Sequence, residues 1–394
     1  PPDTCADRDG SDCTGRSAYF ALDVTDPQNP EYMWSFSPPR LGYSYSGPAY
    51  IKRKDTSGAS DQWKHYLMFA SGPTSYDGYS DQGLRLFVRE LETGDKVHTF
   101  GEKNGIHGNA FGGRLFTDGL DVNGDYQTDF VFLGHTQKQS KGTTSGGGVM
   151  KIWTGATASG EPDPENWHIN KNYLNNSDKS VVSRVIPMQC FGDQWYLYFG
   201  TGRYFYATDN DMDTNYLYGL PFTCDAQNNC DTGNINSAHN SETMDCGDIY
   251  MKGTNPNKAG WKRKLKEKSE ITGDYMIERN YADPSPTDFN VVFFNPAMPT
   301  SDPCGFGGKS RSFALNCVTG KGLMNDDCSD KYTVESETFK YLVQLSGGDI
   351  KQYSAQDFSG GGGSAITSGV PSEEGGVPMT GSSAEGEIML WLEK

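Results

Sequence analysis

Runs of alternating apolar and polar residues, paired through short turns, recur along the whole chain. The first is AYFALDVTDPQNPEYMWSF (Ala18–Phe36), where one run ends in Asp-Val-Thr-Asp-Pro and the chain returns as Tyr-Met-Trp-Ser-Phe. LRLFVRELETGDKVHTF (Leu84–Phe100) repeats the idea around Glu-Thr-Gly-Asp, and period-two patterning about such a turn predicts a β-hairpin. The series continues with FVFLGHT (Phe130–Thr136) and GGGVMKIWT (Gly146–Thr154), then WYLYFGTGRYFY (Trp195–Tyr206) and YLYGL (Tyr216–Leu220). It ends with NVVFFNPAMP (Asn290–Pro299), SRSFALNCVTGKGL (Ser310–Leu323) and KYLVQLSGGDI (Lys340–Ile350). Hairpins that each need a neighbour to bury a face predict an all-β fold, a β-propeller of antiparallel strands. At roughly 45–55 residues per four-stranded blade, the chain accommodates about seven blades. A pair of β-sandwiches would call for a linker near the middle and none is read there, so residues 1–394 are expected to form one domain.

Polar segments separate the strands. TQKQSKGTTSGGG (Thr136–Gly148) reads as a hairpin tip, and residues 221–268, with three cysteines and few strand signals, as a large disulfide-stapled insertion. Within it WKRKLKEK (Trp261–Lys268) reads as a solvated loop or hairpin, since Glu267 interrupts its basic run. Residues 359–386 are a Gly-rich loop. No GK[ST] and no following helix accompany those glycines, so a phosphate cradle is not expected. EIMLWLEK (Glu387–Lys394) is expected to be a final strand that closes a propeller against its first blade.

Composition narrows the function classes. Apolar residues reach only 35% beside 48 glycines, and the 12% aromatics suit half-buried pleated surfaces. No apolar run is long enough to span a bilayer as a helix. No basic-plus-apolar leader begins at Pro1, so a mature or processed chain is expected. A formal net charge of −17 argues against nucleic acid, which needs a contiguous excess of Lys and Arg. The nine cysteines are Cys5, Cys13, Cys190, Cys224, Cys230, Cys246, Cys304, Cys317 and Cys328. With no CxxC or CxxCH spacing, they read as disulfides of an exported protein. Cys5–Cys13 and Cys224–Cys230 look like closed turns, the odd count leaves one thiol over, and the remaining connectivity stays open.

The sharpest chemical signal is DVNGDYQTDF (Asp121–Phe130). Calcium takes six to eight oxygen ligands with carboxylates to offset its charge. Here Asp121, Asn123 and Asp125 alternate as side-chain ligands, Gln127 follows with its backbone carbonyl, and Asp129 closes the set. Gly124 permits a tight left-handed turn. An EF-hand is excluded, because Tyr126 stands at the sixth place, Phe132 at the twelfth, and a strand follows instead of a helix. A nine-residue calcium loop between β-strands is expected. Zinc is not, since no His or Cys lies in the loop. Two weaker acidic clusters, Asp209–Asp213 in TDNDMDTN and Asp7–Asp12 in DRDGSD, lack a closing acid or lie inside the Cys5–Cys13 turn. Both read as solvated loops before they read as second ion sites.

Nothing in the sequence assembles a catalytic constellation. The six histidines (His65, His98, His107, His135, His168, His239) show no HExxH or paired spacing, and no GxSxG elbow or sialidase Asp-box is present. A quinoprotein-like propeller dehydrogenase shares the aromatic strand and Thr-Gly turn. The vicinal cysteines that often cap its cofactor pocket are missing. A general extracellular adhesin on the same scaffold is the other alternative.

Taken in order, YFALDVTDPQNPEYMWSF, DVNGDYQTDFVFLG, YLYFGTGRYFYATDND and FFNPAMPTSDPCGFGGKSRSFALN resemble the C-terminal domain of the PilC/PilY family of type IV pilus tip proteins. The resemblance covers roughly Ser17 to Gly348. It implies a seven-bladed modified propeller with a surface calcium loop, ligated by Asp121, Asn123, Asp125, Gln127 and Asp129. It also implies a non-enzymatic, exported protein at the pilus tip, acting in pilus assembly, extension and retraction, twitching motility and adhesion to a host or abiotic surface. Minor pilins are the partners implied, docking by strand addition. The family often carries Gly where Tyr126 stands here. Its N-terminal region, often a von Willebrand A-like module, lies outside these 394 residues, so a processed fragment or a separate chain bearing that module is expected.

Overall fold

Every hairpin paired in the sequence forms with antiparallel register. A computed structural model describes residues 17–55, 63–141, 143, 145–155, 163–175, 179–190, 194–206, 209, 215–224, 230–232, 238–240, 260–265, 283–287, 290–299, 308–311, 313–322, 333–334, 340–344 and 350–354. Strand β1 (Tyr19–Asp23) pairs with β2 (Glu31–Phe36). Next, β3 (Pro48–Lys54), β4 (Trp63–Ala70), β5 (Leu86–Glu90) and β6 (Lys96–Phe100) make a four-stranded meander. A second meander comprises β7 (Ala110–Leu115), β8 (Phe130–Gln137), β9 (Gly146–Trp153) and β10 (His168–Asn175).

A larger sheet follows, made of β11 (Ile186–Gln189), β12 (Trp195–Gly200), β13 (Tyr216–Cys224), β14 (Cys230–Thr232), β15 (His239–Asn240) and β16 (Trp261–Lys264). Further along are β17 (Ser285–Thr287), β18 (Val291–Phe294), β19 (Ala297–Pro299), β20 (Gly308–Arg311), β21 (Phe313–Asn316) and β22 (Thr333–Val334). They divide into the three-stranded sheets β17-β18-β21 and β19-β20-β22. Finally β23 (Lys340–Gln344) pairs with β24 (Ile350–Ser354). Among the described residues no helix is long and apolar enough to cross a membrane.

The period-two pattern explains how these sheets pack. Successive strand residues point to opposite faces, and each central strand supplies two cores. From β4, Met68 and Ala70 join a cluster with Leu115, Val131, Leu133 and Ile152 of the next sheet, while Phe69 meets Trp34 and Phe36 of the first. From β8, Phe130 and Phe132 turn the other way, onto Leu197, Phe199 and Phe222. From β12, Tyr196 and Tyr198 reach forward to Val292, Phe294, Phe313 and Leu315. From β1–β2 to β17-β18-β21, successive sheets therefore stack face to face in chain order. A large apolar side chain buried this way contributes about 1.5–3 kcal/mol, so most of the stability lies between sheets. FVFLG reads as an unbroken apolar run because both faces of β8 are covered.

Two readings change. Of the two readings of WKRK, a solvated loop or a hairpin, the solvated loop is corrected: β16 is a strand that pairs antiparallel with β13, burying Trp261 and Arg263 while Lys262 and Lys264 face outward. Trp261 seats its indole over Gly219, where a Cβ would stand 2.3 Å from the ring, and donates to the Cys317 carbonyl at 2.9 Å. Residues 221–268 consequently supply strands to a sheet, although much of that stretch lies outside the described residues. Cys224–Cys230 is bonded as the spacing suggested, and Cys190–Cys317 ties two sheets across 127 residues. The cysteines at 5, 13, 246, 304 and 328, the Gly-rich loop and the final EIMLWLEK lie outside the described residues.

Candidate metal centre

All five residues of the acidic loop fall in the connection between β7 and β8, whose end is fixed by pairing of Leu120 with Phe130. The loop wraps on itself through Asx turns, in which a short acidic or amide side chain accepts from amides ahead of it. Asp121 accepts from the amides of Asn123 (3.2 Å) and Gly124 (2.8 Å) on Oδ1, and of Tyr126 (2.8 Å) on Oδ2. Asn123 Oδ1 accepts from the Asp125 amide at 2.9 Å. Asp125 accepts from the Gln127 amide and from Gln127 Nε2, each at 2.9 Å. Gly124 and Tyr126 both have left-handed backbones, with φ of 77° and 65°. A β-carbon there costs roughly 1–2 kcal/mol, which explains why a glycine suits the position that Tyr126 holds. The Tyr126 ring is 76% exposed and recovers little by packing.

Asp129 differs from the other acids in being only 8% exposed. Its Oδ2 accepts from the Val122 amide at 3.0 Å. Burial pushes its carboxyl up to about 6, the Val122 bond opposes this, and the nearby Asp125 and Asp121 charges add to it. Its backbone carbonyl takes the amides of Thr154 (2.8 Å) and Gly155 (3.0 Å), anchoring the loop's end to the next hairpin.

The loop is also zipped to β3 of the preceding sheet. Tyr50 N donates to the Thr117 carbonyl (2.7 Å) and Thr128 N to the Lys52 carbonyl (2.9 Å). Lys52 N donates to Thr128 Oγ1 (3.1 Å) and Lys54 N to Gln127 Oε1 (2.9 Å). Arg53, 2% exposed, donates from Nη1 to the Thr128 carbonyl at 3.0 Å. Burial lowers its pKa, and the carboxylates of Asp129 and Asp125 hold it up. The sequence reading missed Arg53, Thr128 and Lys54. Their one visible trace is the Lys-Arg-Lys triplet that ends β3, opposite an acidic loop in the fold.

Among the described residues no three His, Cys, Asp or Glu side chains converge closely enough to hold a metal as they stand. The hydrogen bonds explain this, since Asp121 and Asp125 spend both oxygens on amides of the loop. Each carboxylate oxygen has two acceptor sites, so Asp121 Oδ2 and both Asp125 oxygens, which take one donor each, keep one for a cation, while Asp121 Oδ1 takes two amides and keeps none. Three carboxylates, an amide oxygen and a carbonyl make a hard-oxygen donor set that fits calcium. Buried Asp129 is the member that gains most from a cation, because burial disfavours its charge.

The other clusters are accounted for differently. Asp209 is fully buried in an ion pair with Arg203 (Nε–Oδ2 2.9 Å), so its charge is already engaged. Asp211, Asp213 and Asp7–Asp12 lie outside the described residues. His107 and His135 stack at 4.4 Å, and burial followed by the His107 charge pushes His135 down to about 3. His65 bonds the Tyr50 hydroxyl at 2.6 Å.

Comparison with known proteins bears on this fold. No family model matches the chain. It is 22% identical over 360 residues to the type IV pilus biogenesis factor PilY1 of Pseudomonas aeruginosa (strain UCBPP-PA14), covering 78% of this chain and 29% of that protein. The chain thus spans under a third of that relative's length. The crystal structure of the Pseudomonas aeruginosa PilY1 C-terminal domain superposes with a TM-score of 0.53 at 15% identity, covering 87% of this chain and 78% of that one. The resemblance read from the motifs is met by this relative in sequence and by this crystal structure in fold: the chain shares the fold of the PilY1 C-terminal domain.

Proposed function

We propose that this chain is the calcium-binding C-terminal domain of a PilY1-type pilus biogenesis factor, exported and working at the pilus without catalysis of its own. The observation that supports the calcium reading is the folded loop itself, in which Asp121, Asn123 and Asp125 form successive Asx turns and the buried Asp129 closes back onto the Val122 amide. These residues would hold the ion. A bound calcium would supply positive charge to a carboxylate cluster that includes a buried member, and would brace the junction between two sheets.

The stacking of successive sheets, with β4, β8 and β12 each giving side chains to the cores on both sides, supports a propeller of about seven blades. The outer face of β1–β2 fits this reading: Phe20 (66% exposed), Leu22 (43%), Val24 (58%) and Tyr32 (65%) stand uncovered where a closing blade would pack. The two disulfides among the described residues suit an oxidising compartment outside the cytoplasm. Tip location, twitching, adhesion and contact with minor pilins follow from the family reading, and among the described residues a strand-adding partner would find an open edge at β1–β2.

The test is genetic. In the encoding organism, deletion of the gene should abolish surface pili. A chromosomal Asp125→Ala/Asp129→Ala copy, expressed at normal level, should alter pilus number and twitching. Wild-type pili and motility in the deletion strain would refute the reading.

A further inference from the structure

The best-buried charge at the loop belongs to none of the expected ligands. Arg53 comes from β3 in the neighbouring sheet, is 2% exposed, and among the described residues its Nε is buried without a hydrogen-bond partner. The guanidinium touches the loop through Nη1 and the Thr128 carbonyl, and Thr154 Oγ1 shares that carbonyl at 2.7 Å. It also senses Asp129 and Asp125 through space. A permanent cation thus lies behind a loop in which Asp129 is buried and Asp125 is exposed. An arginine does not give up its proton in a protein, so this charge is present whether or not a second cation binds.

We propose that Arg53 is a built-in counter-cation of the acidic loop. It holds the loop against β3 when no divalent ion is bound, and opposes that ion electrostatically when one arrives. The consequence is a loop that stays folded at low calcium and binds with moderated, reversible affinity. A loop lacking such a charge would depend on the ion for its order and would bind it more tightly. Arg53 is a positioning residue in this scheme, because it acts on the ion through the loop and contributes no ligand oxygen.

The inference rests on the calcium reading, and the experiment separates the two. Calcium is titrated calorimetrically into the full chain as wild type, Arg53→Met and Arg53→Lys, and each is melted in EGTA and in saturating calcium. Arg53→Met should bind calcium about tenfold more tightly or better, as expected for removing a full buried charge near a dication. Arg53→Lys, which keeps the charge, should stay close to wild type. The melting temperature of Arg53→Met should fall in EGTA, and the deficit should shrink in calcium. If Arg53→Met does not fold, Arg53→Gln retains a donor for the Thr128 carbonyl without the charge and is read the same way. Unchanged or weaker binding in the folded neutral variant overturns the counter-cation role while leaving the site intact. No calcium heat in the wild type overturns the calcium reading itself, and the inference with it.

Discussion

Asp129→Asn should reverse its effect on stability with pH and with calcium. In the folded protein burial raises the Asp129 carboxyl from 3.8 to about 6. At about 1.4 kcal/mol per pH unit, that difference is worth about 3 kcal/mol. The folded state binds this proton more tightly than the unfolded chain does. The contribution is therefore fully present below pH 3.8 and is lost as pH rises through about 6. Asparagine keeps an acceptor for the Val122 amide and never ionises. In EGTA the two proteins should be of similar stability near pH 4, and the variant should be more stable by up to about 3 kcal/mol at pH 7. Saturating calcium at pH 7 should restore the wild type by about 2.7 kcal/mol at a hundredfold excess over Kd and do less for the variant. Urea denaturation at pH 4, 5, 6 and 7, with and without calcium, reads all of this. A difference between the two proteins that does not move with pH in EGTA, or a variant already less stable at pH 7 without calcium, would refute the reasoning.

The two disulfides should differ in worth. Loop-closure entropy assigns about 5 kcal/mol to Cys190–Cys317 and about 2 kcal/mol to Cys224–Cys230, given separations of 127 and 6 residues. Double Cys→Ser variants compared by denaturation should keep that order, and equal losses would contradict it. Arg203→Met should cost about 3–5 kcal/mol, because it strands the fully buried Asp209 charge. It also removes donors to the Gly78 and Asp77 carbonyls, which link distant loops. A loss under about 1 kcal/mol in the same assay would show that the pair is not stabilising.

The hairpins were legible because strand pattern and turn residues are local. Phe130 to Gly134 and Trp195 to Gly200 announced themselves by aromatic content, and Cys224–Cys230 by its spacing. What escaped depends on contacts distant in sequence. Trp261-Lys-Arg-Lys looks basic and solvated, yet its period-two alternation buries Trp261 against Gly219 and places Arg263 5.2 Å over the Phe313 ring. The partner of Cys190 lies 127 residues away. The loop's acids could be picked out from their alternation alone. The burial that sets Asp129 apart could not, since it comes from Thr154, Gly155 and a β3 strand some 75 residues upstream. For the same reason Asp209, read as one acid among several in TDNDMDTN, proves to be the buried partner of Arg203.

Calorimetric titration of calcium into the full chain, beside Asp125→Ala and Asp129→Ala, tests the central claim most directly. The wild type should bind one ion at this loop, and each variant should bind about tenfold more weakly or worse, since affinity in such loops follows the number of ligand charges. Equal heats and affinities in all three proteins, or no heat in the wild type, would contradict the account.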